Sequence, residues 1–107
     1  MDRDAAPLAC VPGAIPADAR GAHFALARHL FADAAVERRD WREGYAFRFA
    51  PDAFDALARF VANERKCCPF LDFEIAIAAA AGPVWLRLTG PAGTRAFLDA
   101  ELGSGAG

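Results

Sequence analysis

The chain has 107 residues, of which 55% are hydrophobic and 24% are charged. This length predicts a single domain spanning residues 1–107 with one small core, and the composition excludes a disordered chain. The net charge is -2, so we expect no nucleic-acid partner, because such proteins usually carry a basic excess. No apolar run reaches the roughly 18 residues that span a bilayer, so we expect no membrane association. The first ten residues do not resemble a secretory signal, and we expect a reduced, cytoplasmic protein.

The amino-acid inventory narrows the chemistry further. The only serine is Ser104, in a glycine-rich tail, and the only lysine is Lys66. Serine hydrolases therefore have no plausible nucleophile here. Three cysteines remain, at Cys10, Cys67 and Cys68, so we look first for thiol chemistry or metal binding.

The first element carries two of the candidate site residues. Residues 1–16 predict an N-terminal loop that contains Cys10, because four prolines and glycines interrupt them. A helix is predicted over 18–33, with Asp18 as its N-cap. Its apolar residues fall on one side of the helix, and His23 lies on that same side.

A hairpin is predicted next. Residues 45–50 alternate between aromatic and other side chains, which is typical of a strand. The segment 35–41 is ambiguous by itself but is the nearest partner for this strand. Exposed aromatic residues on a sheet could stack RNA bases, but we expect these three in the core: Tyr45, Phe47 and Phe49.

The second half repeats the alternation of helix and hairpin. A helix is predicted over 51–66, strands over 71–77 and 84–90, a last helix after Gly90-Pro91, and a frayed tail over 103–107. The fold class is therefore α+β, in the order helix–hairpin–helix–hairpin–helix. We expect a four-stranded antiparallel sheet with the helices covering one face.

The segment E-R-K-C-C-P-F at the end of the second helix is the strongest local feature. The apolar stripe of this helix is predicted to contain Phe54, Leu57, Ala58 and Val61, with Phe60 at its edge. Helical spacing places Cys68 near the centre of this stripe, Cys67 at its edge, and Glu64 one turn before Cys68. An ionised carboxylate on an apolar face costs several kcal/mol unless it is paired or ligated. Glu64 therefore has either an arginine partner, such as Arg48 or Arg87, or a role beside the thiols.

Metal binding is the leading hypothesis for the cysteines. A helix C-terminus raises a thiol pKa, and no C-x-x-C motif is present, so the layout differs from thioredoxin-type redox sites. A soft cation keeps thiolates deprotonated. Cys10, Cys67 and Cys68 are the predicted ligands of a metal ion, with His23 as a candidate fourth and Glu64 beside them. Zinc is expected on abundance, while mercury or copper suits fewer thiolates.

Two alternatives stay open. The first is a thiol-dependent enzyme that uses Cys67 or Cys68 as nucleophile and Glu64 as acid or base. The second is a structural or interaction module in which the cysteines only pack and His23 is a hydrogen-bonded core residue. The spacing of the cysteines matches no zinc ribbon or finger, so spacing does not decide among the three.

A longer stretch of the chain resembles a family of small bacterial proteins of about this length. The segment ERKCCPFLDFEIAI, followed by GPVWLRLTGPAG, is similar to that family's E-R-[RK]-C-C-P-F signature and G-P-x-W-L-R-x-T-G-P-x-G segment. The turn of four alanines before the second segment departs from the pattern. The resemblance covers most of the chain and implies no activity, but it marks these positions: Cys10, His23, Glu64, Cys67, Cys68 and Pro69.

Overall fold

The computed structural model describes residues 8–102. Within this range the chain is α+β, as predicted, with three α-helices and a four-stranded antiparallel sheet. The predicted tail at 103–107 and the first seven residues of the predicted loop lie outside the described range. None of the described helices combines the length and apolarity needed to cross a membrane. The elements are α1 (Ala17–Arg28), β1 (Glu37–Trp41), β2 (Gly44–Phe49), α2 (Phe54–Cys67), β3 (Asp72–Ile77), β4 (Val84–Thr89) and α3 (Thr94–Leu102).

The sheet has the order β1-β2-β4-β3, and all neighbouring strands are antiparallel. The register places Phe47 of β2 opposite Leu86 of β4, on the face that contributes to the core. The ring of Phe31, which follows α1, packs edge-on against Phe47 at 4.8 Å. The predicted core position of the β2 aromatic residues is confirmed, and this burial leaves no surface there for stacking bases.

The opposite face of the sheet carries arginine and tryptophan side chains. The guanidinium of Arg87 lies 4.5 Å from the ring centroid of Trp41, and that of Arg39 lies 5.1 Å from that of Trp85. Along β2 and β4, the core residues therefore alternate with residues whose side chains lie on this second face.

The start of α1 differs from the prediction. Pro16, not Asp18, is the N-cap, and Asp18 lies in the first helical turn with no side-chain cap. The carbonyl of Pro16 accepts the Ala19 N–H at 2.8 Å, so the backbone itself closes this turn. After Arg28 the chain continues as a π-helical segment, His29–Ala34.

The inward face of α2 is rotated from its predicted position. Phe54 was expected in the apolar stripe but is 39% exposed, whereas Phe60, expected at the edge, is fully buried. Phe54 is the first residue of the helix, after a 3-10 turn. Phe60 stacks on the His23 ring of α1. Contact between the helices therefore sets the buried face closer to Phe60 and Cys67.

Substitution of Gly44, at the start of β2, tests the register of the sheet. A Cβ there would overlap the backbone carbonyl oxygen of Leu88, whereas a Cβ on Gly21 in α1 meets no atom within 4 Å. We expect Gly44→Ala to lower the free energy of unfolding by about 1–3 kcal/mol, because the strand must shift. The matched control, Gly21→Ala, should raise it by about 0.5–1 kcal/mol. Urea unfolding measures both, and a Gly44→Ala protein as stable as the wild type would contradict this register.

Candidate functional site

The N-terminal loop returns to the C-terminal end of α2. The backbone N–H of Val11 donates to the carbonyl of Cys67 at 2.6 Å. Arg20 Nε donates to the carbonyl of Ile15 at 2.9 Å, and the Ile15 side chain is fully buried. These contacts hold Cys10 next to the end of α2.

The three cysteines form one cluster. The Sγ atoms of Cys10, Cys67 and Cys68 all lie within 4.8 Å of one another. Cys67 and Cys68 are buried, and Cys10 is partly buried. Adjacent residues on a regular helix diverge by about 100°, but Cys68 has already left the helix, with φ −116° and ψ 81°. This change of backbone direction lets both neighbouring sulfurs meet Cys10.

Two of these sulfurs are paired. The Sγ atoms of Cys10 and Cys68 are at disulfide-bonding distance, with their Cα atoms 4.4 Å apart, and Cys67 is a free thiol. Sequence reasoning expected a reduced protein and missed this pair. The cluster therefore has an oxidised form, with one disulfide and one thiol, and a reduced form with three thiols.

Glu64 joins the cysteine cluster to α1. Its Oε2 atom lies 3.0 Å from Cys68 Sγ, and its Oε1 atom lies 2.7 Å from His23 Nε2. The side chain is 14% exposed, so Glu64 faces inward as predicted, and the sulfur that it contacts belongs to the Cys10–Cys68 pair. Only the reduced form gives Cys68 a proton to donate to Glu64.

The alternative prediction, that Arg48 or Arg87 pairs with Glu64, is wrong. Arg48 Nε donates to Glu37 Oε1 at 2.8 Å, and Arg87 Nη1 lies 3.6 Å from Glu74 Oε1. Both arginines alternate with the core residues of their strands and therefore point to the other face of the sheet. Among residues 8–102, the hydrogen-bond partners of the Glu64 carboxylate are His23 Nε2 and Cys68 Sγ.

His23 contacts Glu64 instead of joining the group of sulfurs. The His23 ring is buried and lies parallel to that of Phe60, with the centroids 5.5 Å apart. Its Nδ1 atom is buried and has no hydrogen-bond partner within residues 8–102. In this arrangement His23 orients the carboxylate that faces the thiols.

Burial controls the electrostatics of the site. Desolvation raises the pKa of Glu64, and the hydrogen bond from His23 partly opposes this rise. Desolvation also raises the pKa of Cys67, and the negative charge of Glu64 adds to it. A raised thiol pKa was expected from the helix C-terminus, but burial is the main cause. Two buried anions side by side are unfavourable unless a cation compensates them.

A cavity of about 560 Å³ opens beside the thiols. It lies between the N-terminal loop and all three described helices, and apolar side chains form much of its wall. Two of the cysteines, Cys10 and Cys67, line this cavity, and so does Glu64. Sequence reasoning missed this cavity, because its walls come from four separate segments of the chain.

Comparison of the chain with family models, with curated proteins and with solved structures finds no match. Inferences about function therefore rest on the geometry of the thiol cluster and its surroundings.

Proposed function

We propose that the reduced protein binds one soft or borderline metal ion through the thiolates of Cys10, Cys67 and Cys68. The mutual approach of the three sulfurs within 4.8 Å supports this most directly. Sulfurs that bind one zinc ion at about 2.3 Å are separated by roughly 4 Å. On reduction, the Cys10 and Cys68 sulfurs would separate from bonding distance to this spacing, while the Cys67 sulfur already lies within 4.8 Å of both.

The surroundings of the sulfurs favour a bound cation. The site buries a carboxylate next to potential thiolates, and a metal ion supplies the positive charge that makes this arrangement favourable. Glu64 Oε2 is an oxygen ligand atom beside the cluster, at 3.0 Å from Cys68 Sγ. We assign Glu64 as the candidate fourth ligand. His23, predicted as that ligand, would act through Glu64, since outer hydrogen bonds orient ligating carboxylates.

Zinc is the first ion to test, because borderline metals accept a mixed set of sulfur and oxygen ligands. Copper(I) and mercury(II) are the alternatives, because they accept three or fewer thiolates. A reducing compartment such as the cytoplasm keeps the three thiols available.

Titration of the reduced protein with each ion, combined with alkylation of its thiols, tests the proposal. We expect one ion per chain and protection of all three cysteines from alkylation. The control is the same protein after chelation, in which Cys10, the most exposed of the three, should alkylate first. A reduced protein that binds none of the ions, with slow and uniform alkylation, would show that the cysteines only pack.

A second candidate function is thiol–disulfide exchange, which the Cys10–Cys68 pair and the Glu64 contact favour. Cys10, the most exposed of the three, would attack a low-molecular-weight disulfide, and its proton would leave with the first released thiol. Cys68 would then lose its proton to Glu64 and attack the mixed disulfide at Cys10, which releases the second thiol. Two electrons pass from the protein to the substrate. A single thiol that alkylates rapidly in metal-free protein, with reduction of one glutathione disulfide per reduced chain, would favour this function.

A further inference from the structure

We propose that the cavity adapts the thiol cluster to a metal or metalloid centre that already carries one apolar organic group. The ligand class is that of trivalent arsenicals with one aryl or alkyl substituent. This inference rests on the proposed function, because the same reduced thiols hold the centre.

The size of the cavity exceeds what a bare ion needs. A metal ion bound by three sulfurs occupies little space beyond its own ligands, whereas the cavity measures about 560 Å³. Pockets that hold small organic molecules usually measure roughly 300–1,000 Å³ and have mainly apolar walls. Here the wall includes Phe24 of α1, Phe60 of α2, and Phe97 and Leu102 of α3. Such a wall fits an apolar group.

The positions of the sulfur atoms indicate which kind of centre would carry the apolar group. Cys10 and Cys67 line the cavity, whereas Cys68 is fully buried outside its lining. A centre with two free valences can therefore bond to Cys10 and Cys67 and direct its third substituent, the organic group, into the cavity. Three charged side chains also line the cavity: Arg28, Glu64 and Glu101.

The reaction of such a centre with two thiols needs no oxidant, reductant or other reagent. An organoarsenic oxide, R–As=O, reacts with two thiols to give R–As(S–Cys)2 and one water molecule. Two As–S bonds form as the As=O bond is lost, and both thiol protons leave in the water. No electrons are transferred, and the organic group stays on arsenic.

Phe24 is the residue of choice for a test. It lines the cavity and is 41% exposed, so its truncation removes an aromatic wall at small cost to the core. Phe54 is a matched control, since it is also a helical phenylalanine, is 39% exposed, and does not line the cavity. Neither residue belongs to the proposed ligand set.

The experiment compares phenylarsine oxide with methylarsine oxide on the reduced protein, because the two probes differ only in the organic group. We expect the phenyl compound to bind at least tenfold more tightly, which corresponds to about 1.4 kcal/mol. Phe24→Ala should reduce this preference about three- to tenfold, the range of one aromatic contact. Phe54→Ala should leave it unchanged.

The outcomes separate this inference from the proposed function. Equal binding of the two arsenicals, or a preference that Phe24→Ala does not alter, would overturn the cavity's role while leaving the metal site intact. Binding of zinc or copper without binding of either arsenical would overturn it as well. A reduced protein that binds neither the metal ions nor the arsenicals would instead overturn the proposed function.

Discussion

Replacement of Cys67 by serine is expected to abolish the stabilisation that a metal ion gives to the reduced protein. Cys67 is buried and is the thiol outside the Cys10–Cys68 pair, so the change removes one ligand and leaves that pair intact. An ion present at 100 times its Kd should stabilise the wild type by about 2.7 kcal/mol. The variant should lose this increment, because a hydroxyl is a poor ligand for a soft cation. Thermal unfolding with and without metal measures the difference.

A packing control separates ligand loss from general destabilisation. Leu98 of α3 is also buried but carries no ligand atom. Leu98→Ala should lower the free energy of unfolding by about 2–5 kcal/mol through its cavity. It should nevertheless keep the metal-dependent increment. A Cys67→Ser protein that retains the increment would exclude Cys67 as a ligand.

Oxidation is expected to prevent metal binding. Formation of the Cys10–Cys68 disulfide removes two of the three proposed thiolate ligands and leaves Cys67 as the remaining thiolate. The affinity should fall by more than the roughly 10–100-fold that changes around metal ligands cost. Reduction should restore it fully. Metal titration of the oxidised and the re-reduced protein provides the measurement.

Peptide mapping without reductant supplies the control for this second prediction. We expect Cys10 and Cys68 in one disulfide-linked pair and Cys67 as a free thiol. Undiminished metal affinity in protein whose map shows this disulfide would contradict the three-thiolate site. A map that places Cys67 in the disulfide would contradict the arrangement of the cluster.

The main elements follow from local patterns, whereas their exact faces depend on tertiary contacts. The alternating aromatics of β2 correctly predict which of its side chains enter the core, because a strand needs only a period of two. The apolar stripe of α2 is less accurate, since Phe54 and Phe60 differ in burial for reasons outside the helix. Phe60 stacks on His23, which lies 37 positions earlier in the chain, and the local period of α2 does not predict that contact.

In the candidate site too, the local contacts follow from the sequence and the long-range contacts do not. The neighbourhood of Glu64 and Cys68 follows from their separation by one helical turn. The contact between His23 and Glu64 spans 41 positions, and the Cys10–Cys68 pair spans 58. Helical phase indicates that both His23 and Glu64 face inward, but only the packing of α1 on α2 shows that they meet. The only hint of this contact in the sequence is that both side chains are predicted to face inward.

Counting the sulfur atoms around the bound ion shows whether all three thiolates hold it. X-ray absorption spectroscopy of the reduced, zinc-loaded protein reports the number and distance of the ligand atoms. Three sulfurs at about 2.3 Å, with one lighter oxygen or nitrogen neighbour, are the predicted result. A coordination shell made of oxygen and nitrogen alone, or with a single sulfur, would contradict binding by Cys10, Cys67 and Cys68 together.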